Sequence, residues 1–110
     1  MAFEDELAGR IRGMVAGEQG LTERRMFGGL AFLVGGHMAI AASGDGGVLV
    51  RVDPSTGNQL VNATSAVPAV MRGRPLAGWL RVASSDLAAD AELARWVDLG
   101  VSYARSLPPK

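Results

Sequence analysis

Apolar residues first recur at helical spacing. Phe3, Leu7, Ile11 and Met14-Val15 share one face of a 3.6-residue period, which predicts a helix over residues 3–16. Acids crowd its first turn and arginines follow, an order that suits the helix dipole. Gly9 and Gly13 weaken that helix, each by about 1 kcal/mol against alanine. They are also expected to let a neighbouring element approach closely. Gly17 and Gly20 end it.

The pattern then changes to short apolar runs separated by glycines. Residues 24–34 read as one strand bent at Gly28-Gly29, because glycine inside a strand marks a bulge or bend. Gly35-Gly36 is a two-residue hairpin signal, followed by a strand over residues 37–43. A turn at Gly44-Asp45-Gly46-Gly47 leads to Val48-Leu49-Val50-Arg51-Val52, whose three valines fall on one face. Asp53-Pro54 opens a second helix or helical turn, with Asp53 as N-cap, although Gly57-Asn58 makes it a poor one. Residues 67–71 form a short edge strand, Gly73-Arg74-Pro75 a turn, and Gly78-Trp79-Leu80-Arg81-Val82 the fifth strand. Ser84-Ser85-Asp86 caps a last helix running to Ser106, with an apolar stripe through Leu93, Trp96-Val97, Gly100 and Tyr103-Ala104. The expected fold class is therefore α+β, in the order α-β(3)-α-β(2)-α, with a mostly antiparallel five-stranded sheet flanked by helices.

At 110 residues, 48% of them hydrophobic, the chain is expected to be one domain over residues 1–110 with enough apolar material for a core. There is no cysteine, so disulfides, thiolate nucleophiles and cysteine-based zinc sites are excluded. The acidic start lacks the order of a secretory signal, and the longest near-apolar run is glycine-rich and too short to span a bilayer. A cytoplasmic protein with no membrane association is the expectation. The formal net charge is zero but is unevenly distributed: residues 1–23 carry −3, residues 24–83 carry +4 and residues 84–110 carry −1. The predicted sheet is basic and the predicted helical ends are acidic. Such a sheet can meet an acidic partner or phosphates, or its charges can pair with those of the helices inside one molecule.

Candidate chemistry is sparse. His37 is the only histidine and has no second histidine or cysteine to complete a metal site. Asp86, Asp90 and Glu92 open a helix, where acids complement the dipole rather than form a catalytic pair. The serines lack a base or a nucleophile elbow. The glycine pairs lack phosphate-loop spacing, and the only lysine is Lys110. No catalytic residue, metal ligand or cofactor is therefore assigned.

The arginines are the strongest binding candidates, because guanidinium groups take carboxylates or phosphates in bidentate fashion. Arg24 and Arg25 alternate sides of a strand, Arg51 lies on another strand beside this hairpin, and Arg72 and Arg74 lie in the proline-containing turn. The structural alternative is that Arg25 or Arg74 ties a strand to loop carbonyls or to an acid of the first helix. Met26, Phe27 and Trp79 read as core, although an exposed Met-Phe pair beside arginines would resemble an interface hot spot. The candidate partner-binding set is Arg24, Arg25, Met26, Phe27, Gly28, Gly29, Arg51 and Arg74.

The run Arg24-Arg25-Met26-Phe27-Gly28-Gly29, the Gly35-Gly36 hairpin, Val48 to Val52, the segment Gly73 to Trp79 and the ending from Trp96 to Lys110 together resemble the N-terminal domain of the TfoX/Sxy family, named for bacterial competence regulators. The resemblance implies the same α-β(3)-α-β(2)-α layout. Competence regulators carry a second, helical domain, whereas this sequence stops at Leu107-Pro108-Pro109-Lys110. The expectation is accordingly a stand-alone, non-enzymatic binding or regulatory module that acts through a protein partner and is able to self-associate. Direct nucleic-acid binding by the basic sheet, as a competence-type regulator, is the alternative, and a small-molecule enzyme the third reading.

Overall fold

A computed structural model of the protein describes residues 5–26, 28–44, 46–71 and 73–109. The side chains of Asp5, Met26 and Met71 lie outside that description, as do Phe27 and Arg72 altogether. The elements are α1 (Asp5–Val15), β1 (Leu21–Met26), β2 (Gly29–Val34), β3 (His37–Ala42), β4 (Val48–Arg51), α2 (Pro54–Ala63), β5 (Val67–Met71), β6 (Arg74–Val82), a 3-10 turn (Ser84–Leu87) and α3 (Asp90–Ser106). The strands form one antiparallel sheet in the order β1-β2-β3-β4-β6-β5.

The α+β class holds, with six strands in place of the five expected. The additional strand comes from dividing residues 24–34: the chain reverses before Gly29, and β1 pairs with β2 from Leu21–Val34 through Met26–Gly29. Gly28 takes φ 72°, a left-handed conformation cheap only for glycine, so the chain turns at Gly28 and Gly29 already pairs as the first residue of β2, where a bend within one strand was expected. The expected turn at Gly73-Arg74-Pro75 is also shorter, because Arg74 and Pro75 already pair with Met71 and Val70. The last helix starts later than its serines suggested. Ser84 to Leu87 form a 3-10 turn that buries Leu87, and α3 begins at Asp90.

Alternation along the strands sorts the sheet into two unlike faces. Leu30, Phe32, Val34, Ile40, Val48, Val50, Leu80 and Val82 join Leu7, Ile11 and Val15 of α1 and Leu93, Trp96, Val97 and Val101 of α3 in the main core. Leu60 and Val61 of α2 pack at its margin. The opposite face carries a smaller buried cluster, Ala31, Leu33, Met38, Ala41, Leu49 and Ala69, with Trp79 half-buried against it. Strand residues alone build that second cluster, so all three described α-helices lie on one side of the sheet.

Candidate functional site

The six strands together carry five arginines, Arg24, Arg25, Arg51, Arg74 and Arg81, against a single acid, Glu23. Their register decides where these charges go. Glu23 lies opposite Phe32 and Arg25 opposite Leu30, both on the helix side. Arg24 lies opposite Ala31, Arg81 opposite Leu49, and Arg51 opposite Trp79, positions that alternate onto the helix-free face. No strand position on that face holds a carboxylate among the described residues.

The one strand acid is consumed locally. Arg12 of α1 grips Glu23 with two of its guanidinium nitrogens, Nε to Oε2 at 2.8 Å and Nη2 to Oε1 at 3.0 Å. Those hydrogen bonds hold the Glu23 carboxyl below its ordinary range, against a smaller opposing effect of burial. The other ion pairs also use helical arginines. Arg10 joins Asp90 at 2.8 Å and donates to the Leu87 carbonyl at 2.8 Å, tying α1 to the start of α3. Arg105 pairs with Glu18. These three ion pairs lie within the helical layer and at its junction with β1, while Arg24, Arg51 and Arg74 form no ion pair among the described residues.

Arg51 is occupied in another way. Its guanidinium carbon sits 5.2 Å from the centre of the Trp79 ring and 5.5 Å from that of Tyr103 on α3. A cation held by two ring faces keeps its positive charge and loses conformational freedom. Trp79 is half-buried rather than fully in the core, since its ring serves this contact as well as the second cluster. Tyr103 had no visible link to Arg51 in the sequence, because only the docking of α3 brings them together. Arg81 donates to the Ser43 hydroxyl at 3.1 Å, which fixes its side chain at the end of β3.

The sequence-derived candidate set is not one patch. Arg24 and Arg25 are both exposed on β1 but point to opposite faces. Arg74 is exposed at the start of β6, four strand positions from β1, or about 19 Å at usual strand spacing. Gly28 is exposed, whereas Gly29 is buried and structural: a Cβ there would stand 2.0 Å from the Ala42 carbonyl oxygen. For Met26 only the backbone pairing with Gly29 is described, and Phe27 lies outside the described residues. His37 places its Nε2 2.6 Å from the Pro108 carbonyl, tying the β2–β3 hairpin to the chain after α3. Among the described residues no three His, Asp or Glu side chains come together as a metal site, and no helix is long and apolar enough to cross a membrane.

Two further features went unseen in the sequence. An apolar groove of about 280 Å³ between α2 and β6 is lined by Pro54, Gly57, Val61, Pro68, Pro75 and Leu76 among others. The two exposed large hydrophobic residues among those described, Val67 and Val70, lie on β5, a free edge of the sheet.

In comparison with known proteins, the TfoX N-terminal domain family matches residues 14–104, a span that includes every strand and nearly all of α3. Among curated proteins nothing matches.

Proposed function

Because the chain belongs to the TfoX N-terminal domain family, we propose that it is a non-enzymatic binding module that presents its helix-free sheet face to an acidic protein partner. The observation that carries this reading is exposed Arg24, which alternates onto the helix-free face and forms no ion pair among the described residues, with Arg51 held at the margin between the rings of Trp79 and Tyr103. The apolar cluster of that face is already buried, and the half-buried Trp79 beside it is the aromatic side chain left partly accessible there. Aromatic residues and arginines with their motion restrained are the groups that dominate protein interfaces. Positive potential over such a face steers an acidic partner and sets orientation more than it sets affinity.

Direct nucleic-acid binding is the second reading, favoured by the excess of strand arginines over strand acids. The zero net charge of the whole chain favours the protein partner, because nucleic-acid binding draws on a general positive field.

One experiment separates these readings. Tagged wild-type protein and Arg24→Glu are used to capture partners from host lysate, with and without nuclease, and the eluates are read by mass spectrometry and nucleic-acid staining. Exposed Arg105, on the helix side, supplies the control substitution Arg105→Ala. The expected result is a nuclease-resistant protein retained by wild type and the control but lost by Arg24→Glu. Nucleic acid lost in the same variant, with affinity falling steeply as salt rises, would transfer the role to the second reading. Equal capture by all three proteins would remove the sheet face from consideration.

A further inference from the structure

The inner side of α3 is fully engaged: Leu93, Trp96, Val97, Gly100, Val101 and Ala104 are buried. Its outer side is a shallow depression lined by Ala91, Ala94, Arg95, Asp98, Leu99 and Ser102. Arg95 and Asp98 are both exposed, and neither forms an ion pair among the described residues. Arginine preceding an acid along the chain is also the less favourable order for pairing within one helix.

The order of residues on this surface is self-complementary. Ala91, Arg95, Asp98 and Ser102 follow one another at four-three-four spacing, which keeps them on one exposed face of the helix. A second α3 laid antiparallel, with a two-fold axis passing between Trp96 and Val97, puts Ala91 against Ser102 of the copy and Arg95 against its Asp98. The two-fold repeats both contacts, giving two reciprocal ion pairs at the centre and small residues at either end. Small residues at the two ends leave the helix spacing to be set by Arg95 and Asp98 at the centre, within the usual packing range of about 8–10 Å. Ala94 and Leu99 flank the seam with apolar surface.

From this charge and size complementarity we propose that the outer face of α3 is a homodimer interface whose occupant is a second copy of the same helix. A single helix pair belongs to the small, transient class of interfaces, below about 1,200 Å² of buried surface, so the dimer exchanges rapidly and depends on concentration. Because α3 covers one face of the sheet, pairing on its outer side leaves the two helix-free sheet faces pointing away from each other. The proposal is independent of what those faces bind.

Sedimentation velocity of the full chain over a wide range of concentration tests it, with circular dichroism confirming that each variant is folded. Wild type is expected to pass from the 11.4 kDa monomer toward twice that mass, and to return to monomer in high salt. Arg95→Asp and Asp98→Arg each set like charges across the axis and should abolish the dimer. The double reversal Arg95→Asp/Asp98→Arg recreates both pairs and should restore it. Ala91→Arg, a good helix former in an exposed position, should block close approach and give a monomer. A wild type that stays monomeric throughout, a dimer that survives the single reversals, or a folded double reversal that fails to recover would each overturn the proposal.

Discussion

Single glycines show how far the surroundings decide the effect of one atom. Gly100 lies in the middle of α3, where alanine is favoured over glycine by about 1 kcal/mol. Its Cβ would nevertheless stand 2.2 Å from the Ala39 carbonyl oxygen, a backbone atom that cannot turn aside. Overpacking of this kind costs about 1–3 kcal/mol, so the steric effect wins and Gly100→Ala should lower stability. Gly13 in α1 is the opposite case. It is exposed with nothing within 4 Å of its Cβ position, so it does not serve the close approach expected of it. Gly13→Ala should therefore raise stability by up to about 1 kcal/mol. Urea unfolding of the two variants checks both signs. Equal shifts would mean that α3 does not sit against β3 as described.

The elements were legible where local chemistry determined them. Asp53 caps α2 through the Ser55 backbone N–H at 2.9 Å, with Pro54 at the first helical position, as those residue types suggested. The Gly35-Gly36 turn holds φ 61° and 86°, the pair of positive values that a type I′ two-residue hairpin requires. The β1–β2 division was not legible, since Gly28-Gly29 suits a bend or a turn equally well and only pairing with a neighbouring strand distinguishes them. Nor did the sequence show which arginine would meet Glu23.

That contact makes the junction of α1 and β1 sensitive to acid. The Glu23 carboxyl titrates below its unfolded value because Arg12 donates to its charged form. The contribution is complete above the unfolded value, about pH 4.3, and is lost as pH falls through the lower folded value. Water screening keeps it small. Glu23→Gln should therefore be less stable than wild type at neutral pH, with the difference closing as the solution is acidified. Denaturant titrations in a pH series measure it; a difference that widened toward acid would contradict the pairing.

At the scale of the molecule, one sheet separates a helix-covered core from a face bearing only strand residues. Phe32 is fully buried at the centre of the main core, so Phe32→Ala should remove about 3–5 kcal/mol, a large part of the stability of a domain this size. Calorimetry or denaturant unfolding reads that loss, and a change below about 1 kcal/mol would mean that the site collapses around the missing ring. The free edges differ as well. β1 is charged, whereas β5 is apolar but carries Pro68, which removes a backbone donor and discourages further strand pairing.

The sequence by itself determined the element types, the α+β class, the family resemblance and the excess of arginine in the strands. These follow from spacing, capping and turn chemistry, which act over a few residues. Tertiary structure alone decided which arginines lie over the helix-free face, that Arg51 rests between Trp79 and Tyr103, and that Arg74 lies far from Arg24. Those outcomes depend on strand order, register and the docking of α3. Each joins residues distant along the chain, and no local pattern encodes their meeting.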